Sequence, residues 1–447
     1  MATRSAGRRR GFPEDVTTPI STARTRGRAR AYLPALAESW QLPAAVFVIH
    51  WLLVQIPATL AWKYGELTAG SPPYRTEPPP IDGWVGNLVN PMRMWDGLWY
   101  RLVAVEGYEG HTAKAAFWPL FPWTMRYAHE WFGISYETAG YLIANICFAV
   151  ALVLLYRLLS LDFDRKIAAA SIWALALFPT AFFFTAVYTE SPFLVLLVGS
   201  LFAARLQRWW LAGVLGALAA LTRSYGMFLV LPFAVLLWQQ YGDTLRRQPA
   251  RLLAVGMPLL GPAFFSWRLN EIQGNWQAWR DVQSEWNRYS AWPWETLRWA
   301  FQEHSPKNVA LGFREGDGAN WDWLHRLIDH PSWNLITDKA WRLSAANSDT
   351  LELVCTLLFI VLALVGLKVL PLYQTVYLWP GLLVPLFQPS SVHTLMSMPR
   401  FGLTLFPLFA VIGVLVAGRR IAPVLAVGSA VLLVLLTVQF SQWYWVS

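Results

Sequence analysis

Apolar runs of about twenty residues return along this chain, and they leave it little choice of solvent. A helix rising 1.5 Å per residue needs about 20 mostly apolar residues to cross roughly 30 Å of hydrocarbon. Such runs read at 44–62, 136–158, 167–187, 252–270, 351–369, 371–388, 400–417 and 421–440. Between 191 and 240 the pattern is denser and divides into 191–205, 209–221 and 224–240, the first two short for a full crossing. Short helices are tolerated at membrane depth where protein surrounds them. The runs are continuous rather than alternating, which argues against a closed barrel. The expectation is an all-α fold: a polytopic membrane bundle of about eleven transmembrane helices.

Composition agrees. Of 447 residues 55% are hydrophobic and 14% charged, where a soluble domain carries about 25% charged residues. That excludes a soluble enzyme, a disordered chain and a simple nucleic-acid binder. The 27 Trp and 16 Tyr suit a membrane–water boundary. The net charge is +9, but residues 1–30 hold eight Arg against Glu14 and Asp15, so +6 of it sits in that stretch. Residues 1–43 therefore read as a basic, disordered cytoplasmic tail attracted to anionic lipid rather than to nucleic acid. No cleavable signal peptide is expected, because the first apolar run begins near Ala44. Residues 44–447 read as the membrane domain, with outer loops 63–135 and 271–350 carrying amphipathic surface helices.

Lys and Arg in short loops orient the thread. Arg157, Arg165 and Lys166, then Arg205 and Arg208, then Arg246, Arg247 and Arg251, then Lys368, then Arg419 and Arg420 fall on one side if eleven spans are threaded. The N-terminus is then cytoplasmic. Cys147 and Cys355 both lie in apolar stretches and read as small core residues. The histidines show no metal-ligand spacing. Asp162-Phe163-Asp164 has the form of a metal-holding D-x-D, but it sits in a cytoplasmic loop too short for a nucleotide-binding domain.

Four elements on the outer side carry chemistry. Asp96, in Trp95-Asp96-Gly97-Leu98-Trp99-Tyr100, begins a helix that Gly107 would end. It reads either as the helix cap or as a catalytic carboxylate. Glu190, after Tyr188-Thr189 and before Ser191-Pro192, stands at an outward turn where Ser191 would cap the next helix. A carboxylate at that depth is either functional or a helix-terminal charge facing water. Arg223 lies between two short helices, placed for a phosphate or for snorkelling. Arg400 follows Ser397-Met398-Pro399 at the start of another helix, with His393 nearby as a structural hydrogen-bonder.

The ordered motifs resemble the PIG-V-type mannosyltransferases, bacterial relatives of GPI mannosyltransferase II. The resemblance rests on Trp95-Asp96-Gly97-x-Trp99-Tyr100 with Gly107-Tyr108, and on Phe117-Trp118-Pro119-Leu120-Phe121-Pro122. It continues through Ala176–Phe183, Ala186–Ser191 and Leu221-Thr222-Arg223, and more weakly through Gln283-x-x-Trp286 and Pro399-Arg400-Phe401. It departs where Met94 separates Arg93 from the Trp-Asp pair, and where Ser224 follows Thr-Arg in place of Pro.

The resemblance implies a C-type glycosyltransferase fold. It implies an inverting transfer of a sugar, mannose in that family, from a polyprenyl-phosphate donor to a lipid-linked or cell-envelope acceptor. The site would lie on the outer face of a bacterial plasma membrane. Asp96 carries over as the base. Trp95, Tyr188, Glu190, Arg223 and Arg400 are the substrate-binding candidates: arginines for the lipid phosphate, Glu190 for a substrate hydroxyl. No cofactor is called for, and with arginines available no metal is demanded. The competing reading is a multi-pass transporter or lipid flippase, which also uses membrane carboxylates and broken helices.

Overall fold

The computed structural model describes residues 40–65, 78–247, 249–303 and 348–446. The eight arginines of the basic tail and residues 304–347 of the second outer loop lie outside the described residues. Helices carry the fold, and the one β-bridge among the described residues is an isolated antiparallel one between Arg288 and Ser390.

Helix α1 (Gln41–Tyr64) is followed by α2 (Gly83–Val89), α3 (Asp96–Glu106) and α4 (Leu120–Phe132) in the first loop region. Then come α5 (Tyr136–Leu159), α6 (Arg165–Ala176), α7 (Glu190–Arg205), α8 (Trp209–Thr222) and α9 (Val230–Tyr241). Helices α10 (Pro249–Gly256), α11 (Leu260–Gln273), α12 (Ala278–Asp281) and α13 (Pro293–Glu303) follow. The chain closes with α14 (Ser348–Val369), α15 (Leu372–Phe387), α16 (Met398–Leu403), α17 (Phe406–Val416) and α18 (Ala422–Ser441).

Local chemistry sets these boundaries. Ser135 caps α5 by accepting the Thr138 amide at 3.1 Å, and Glu137 stands in the first turn, where the helix dipole favours it. The 24 residues of α5 reach about 36 Å, enough for the hydrocarbon. Gly133, at φ 66°, ends α4 in the left-handed conformation that suits glycine. On α4, Phe121 and Met125 are buried while Tyr127, Trp131 and Phe132 are exposed, as an amphipathic surface helix requires.

Five helices among the described residues are long and apolar enough to cross a membrane: Gln41–Tyr64, Tyr136–Leu159, Pro249–Gln273, Asp349–Val369 and Ala422–Ser441. Their outward faces expose Ile56, Leu60, Ile146, Val361, Val424 and Val427, a surface that suits hydrocarbon and not water. The other six expected segments are shorter or broken helices. The expected span 167–187 stops at Ala176, because Pro179 denies helical geometry to the residue before it, and a 3₁₀ turn (Ala181–Phe184) follows. The expected span 400–417 divides into α16 and α17, the second begun by Pro407. The expected span 224–240 begins as a 3₁₀ helix (Ser224–Leu229) before α9. Even the long segment Pro249–Gln273 is interrupted by a 3₁₀ turn at Met257–Leu259, where Pro258 lacks an amide.

The buried centre is built by α5 on α7, α7 on α8 and α17 on α6, with α18 against α1. The breaks bring the N-termini of α3, α7 and α16 and the C-terminus of α8 to one end, where the charged side chains meet.

Candidate active site

Four charged side chains from four separate elements form one chain of ion pairs. Arg400 Nη1 donates to Asp96 Oδ2 at 2.5 Å and Arg400 Nε donates to Glu190 Oε1 at 2.5 Å. Arg223 Nη1 donates to the same Glu190 Oε1 at 2.5 Å. Exposure separates the two carboxylates. The Glu190 side chain is 0% exposed and that of Asp96 18%. Glu190 thus neutralises the guanidiniums from beneath, and Asp96 is the carboxylate a substrate can reach. Glu190 Oε2 is buried with no hydrogen-bond partner among the described residues. The sequence reading offers Glu190 a substrate hydroxyl; in the structure its Oε1 is taken by two arginines.

The same geometry decides the role of Asp96 in its helix. The N-cap of α3 is Trp95, with no side-chain capping bond, and Asp96 is the first helical residue. Its carboxylate goes to Arg400 rather than to backbone amides, so the cap reading falls. Two further caps differ from expectation. Helix α7 begins at Glu190 after Thr189, and the Ser191 hydroxyl donates to the Phe184 carbonyl at 2.6 Å. Ser397 caps α16 without a side-chain bond, and its amide donates to Glu352 Oε1 at 3.0 Å.

The turn ahead of Asp96 is strained and heavily braced. Trp95 has φ 55° and ψ −115°, a conformation costly for any residue with a Cβ. The Asp96 amide donates to the Tyr188 hydroxyl at 3.1 Å, and that hydroxyl donates to the Met94 carbonyl at 3.0 Å. The Val187 amide donates to the Met92 carbonyl at 2.9 Å. Trp95 Nε1 donates to the Tyr444 carbonyl at 3.2 Å, and its ring meets Trp443 and Trp445 edge-on at 5.7 and 5.0 Å. All six sequence candidates, Asp96, Trp95, Tyr188, Glu190, Arg223 and Arg400, therefore stand in one neighbourhood.

Three neighbours escaped the sequence reading. Arg288 is held by the carbonyls of Gln388 (2.9 Å) and Met396 (3.1 Å), within electrostatic reach of Asp96 and Arg400. Its guanidinium and that of Arg223 each lie 5.6 Å from the Phe401 ring. Its only sequence signal was Trp286, two positions away. Tyr100 and Thr189 share a hydrogen bond of 3.0 Å. Burial pushes the Tyr100 hydroxyl up to about 12 despite nearby Arg400, so it stays protonated at neutral pH. It had been quoted only as part of the motif.

The remaining polar motifs serve structure. Asp162 accepts from Arg205, from Tyr373 at 2.5 Å and from Gln374 at 2.9 Å. Asp164 caps α6 by accepting the Lys166 and Ile167 amides at 2.8 and 2.9 Å. Arg93 lies off the site, pairing with Glu137 at 3.3 Å. His393 pairs with Asp349 at 2.5 Å.

Residues 114–267 match the family described as dolichyl-phosphate-mannose-protein mannosyltransferase. That stretch includes Glu190 and Arg223 and leaves Asp96, Arg288 and Arg400 outside. No curated protein matches the sequence. Among solved structures, ArnT from Cupriavidus metallidurans bound to undecaprenyl phosphate aligns at 12% identity and TM-score 0.39, over 88% of this chain and 77% of its own. The same protein in its apo state aligns at 13% identity and TM-score 0.38, over 88% and 76%. Likenesses of that size do not by themselves define a shared topology.

Proposed function

We propose that this chain is an inverting glycosyltransferase of the C-type fold. It moves a sugar, mannose by the resemblance, from a polyprenyl-phosphate donor to a lipid-linked or cell-envelope acceptor on the outer membrane face. One observation carries the reading: a single reachable carboxylate, Asp96, stands on a braced turn beside buried arginines at one end of an apolar bundle. The match of 114–267 to a family named for a lipid-phosphate sugar donor supports it.

The chemistry follows from charge. In the transfer an acceptor hydroxyl loses its proton to Asp96, and its oxygen bonds to C1 of the sugar. The C1–O bond to phosphate breaks, and the electron pair leaves on the phosphate. The leaving group is already good, so one carboxylate suffices where glycosidases use two. The phosphate goes from one negative charge to about −1.5 to −2. Arg223, Arg288 and Arg400 stand among Asp96, Glu190 and the buried Glu352, so the charges balance before donor binds, and guanidiniums turned toward the phosphate stabilise the charge that develops on it as the bond breaks. Arg400 bridges both carboxylates. A donor phosphate that draws Arg400 to itself frees Asp96 Oδ2, and the base becomes available only when donor is bound.

The test is transfer in detergent. Purified protein is given labelled mannosyl-phosphoryl-polyprenol and a membrane-lipid extract as acceptor. Label should move to a new product with release of polyprenyl phosphate, and Asp96→Asn should abolish the movement. Failure with every sugar-charged polyprenyl phosphate would sink the proposal and favour the transporter reading, since transport has no meaning in a micelle.

A further inference from the structure

Arg400 rides on α16, a helix of only 6 residues. So short a helix does not hold itself in place, because forming the first turn costs more than a few hydrogen bonds return. It begins at Ser397, whose backbone is left-handed at φ 69° and ψ 14° with no side-chain capping bond. Pro399 takes away one more amide. What fixes Arg400 therefore comes from outside its helix.

The peptide that joins Met396 to Ser397 is held at both ends. Arg288 Nη2 donates to its carbonyl at 3.1 Å, and its amide donates to Glu352 Oε1 at 3.0 Å. A peptide unit carries a dipole of about 3.5 D. The guanidinium sits at its negative end and the carboxylate at its positive end, the favourable arrangement for each. Glu352 and Ser397 are both buried, so little water can replace the bond between them. The two arms come from distant segments: Arg288 from the stretch between α12 and α13, Glu352 from α14. About two turns further along α14, the Phe359 ring packs where a Cβ on Gly402 would stand. One face of α14 thus grips α16 near both of its ends, by a hydrogen bond at Ser397 and by ring packing at Gly402.

We propose that Glu352 is a positioning residue: through the Met396–Ser397 peptide, which it shares with Arg288, it sets the start of α16 and so the place from which Arg400 bridges Asp96 and Glu190. It acts through backbone, so the reach of its oxygen matters and its charge is secondary. Once the amide end lets go, the left-handed turn at Ser397 loses a support and Arg400 shifts against the base. The effect on rate rests on the glycosyl-transfer reading; the clamp itself does not.

Two substitutions separate reach from charge. Glu352→Gln keeps an oxygen at the same distance and loses the charge. Glu352→Asp keeps the charge and withdraws the oxygen by one methylene. The full-length variants in neutral detergent are compared in two ways: by hydrogen–deuterium exchange of peptides covering 393–403, and by kcat and donor KM with labelled mannosyl-phosphoryl-polyprenol. Glu352→Asp should exchange faster across that stretch and lose about tenfold or more in kcat, with donor KM within about twofold of the parent. Glu352→Gln should match the parent in exchange and keep kcat within about threefold, since its amide oxygen still accepts the Ser397 amide. Leu353→Ala, at the neighbouring buried apolar position, should melt lower yet keep the exchange pattern and the turnover per folded molecule. Loss in Glu352→Gln with retention in Glu352→Asp would make Glu352 a counter-charge for Arg288 and overturn the proposal. Equal exchange in all variants, or faster exchange in Glu352→Asp with parental kcat, overturns it as well. Absence of transfer by wild type with every sugar-charged polyprenyl phosphate sinks the glycosyltransferase reading alone, and the exchange contrast then decides the clamp.

Discussion

Asp96 and Glu190 share one arginine yet differ in what their loss should do. Asp96→Asn keeps an oxygen that can accept from Arg400, so thermal stability should hold. The amide takes no proton, and turnover should fall about 10²–10⁴-fold. Turnover within a few-fold of the parent would remove Asp96 from the mechanism. Glu190→Gln leaves Arg223 and Arg400 buried against a neutral group. Breaking a buried pair costs about 3–5 kcal/mol, so this variant should show a large drop in melting temperature. Arg223→Ala removes a charge-assisted phosphate contact worth roughly 1.5–3 kcal/mol, or about 10–150-fold. The loss should appear in kcat/KM for the donor and leave the acceptor's KM near the parent value. Unchanged donor kinetics would make Arg223 purely a partner of Glu190.

At the scale of elements, the turn before α3 is held from the far end of the chain. Trp443, Tyr444 and Trp445 follow α18 and grip Trp95, adding to the Tyr188 and Val187 hydrogen bonds that hold its positive-φ backbone. Removing residues 443–447 should let Asp96 drift. A displacement near 1 Å can cost about 10²-fold in rate, so kcat should fall by at least tenfold while donor KM changes little. A kcat equal to the parent's would show that the turn stands without its clamp. Close helix packing gives a stability prediction. A Cβ at Gly413 on α17 would meet Ser171 Oγ and come within 2.8 Å of the Ile167 carbonyl on α6. Gly413→Ala should therefore destabilise by about 1–3 kcal/mol, read as a lower melting temperature with turnover per folded molecule retained.

At the scale of the molecule, the mechanism needs Asp96, Glu190, Arg223 and Arg400 on the outer side. The cluster itself requires only that all four lie at one end of the bundle. Single cysteines placed in a background with Cys147 and Cys355 replaced resolve the side. Glu109→Cys lies at an exposed position near α3, and Lys166→Cys at an exposed position where α6 begins. An impermeant thiol reagent applied outside intact cells should label the first and spare the second. The reverse pattern would turn the site to the cytoplasm and remove an outer-leaflet donor.

The apolar runs were legible because hydrocarbon demands a minimum length of nonpolar helix whatever the neighbours are. The motif residues were legible because Asp, Glu and Arg at the ends of such runs are too costly to be idle. Helix breaks at Pro179, Pro258 and Pro407 follow from local backbone chemistry, yet they were read through as continuous spans, because hydropathy averages over a proline. Other features depended on contacts between distant segments. Asp96 and Arg400 meet across 304 positions of sequence, and Trp95 and Tyr444 across 349. No local pattern marks Arg288, whose place depends on carbonyls of residues 388 and 396. That Asp96 pairs with Arg400 instead of capping α3, and that Glu190 is enclosed by two arginines, turned on burial and partner. Those belong to tertiary packing, because a carboxylate's role depends on which donors and how much water surround it.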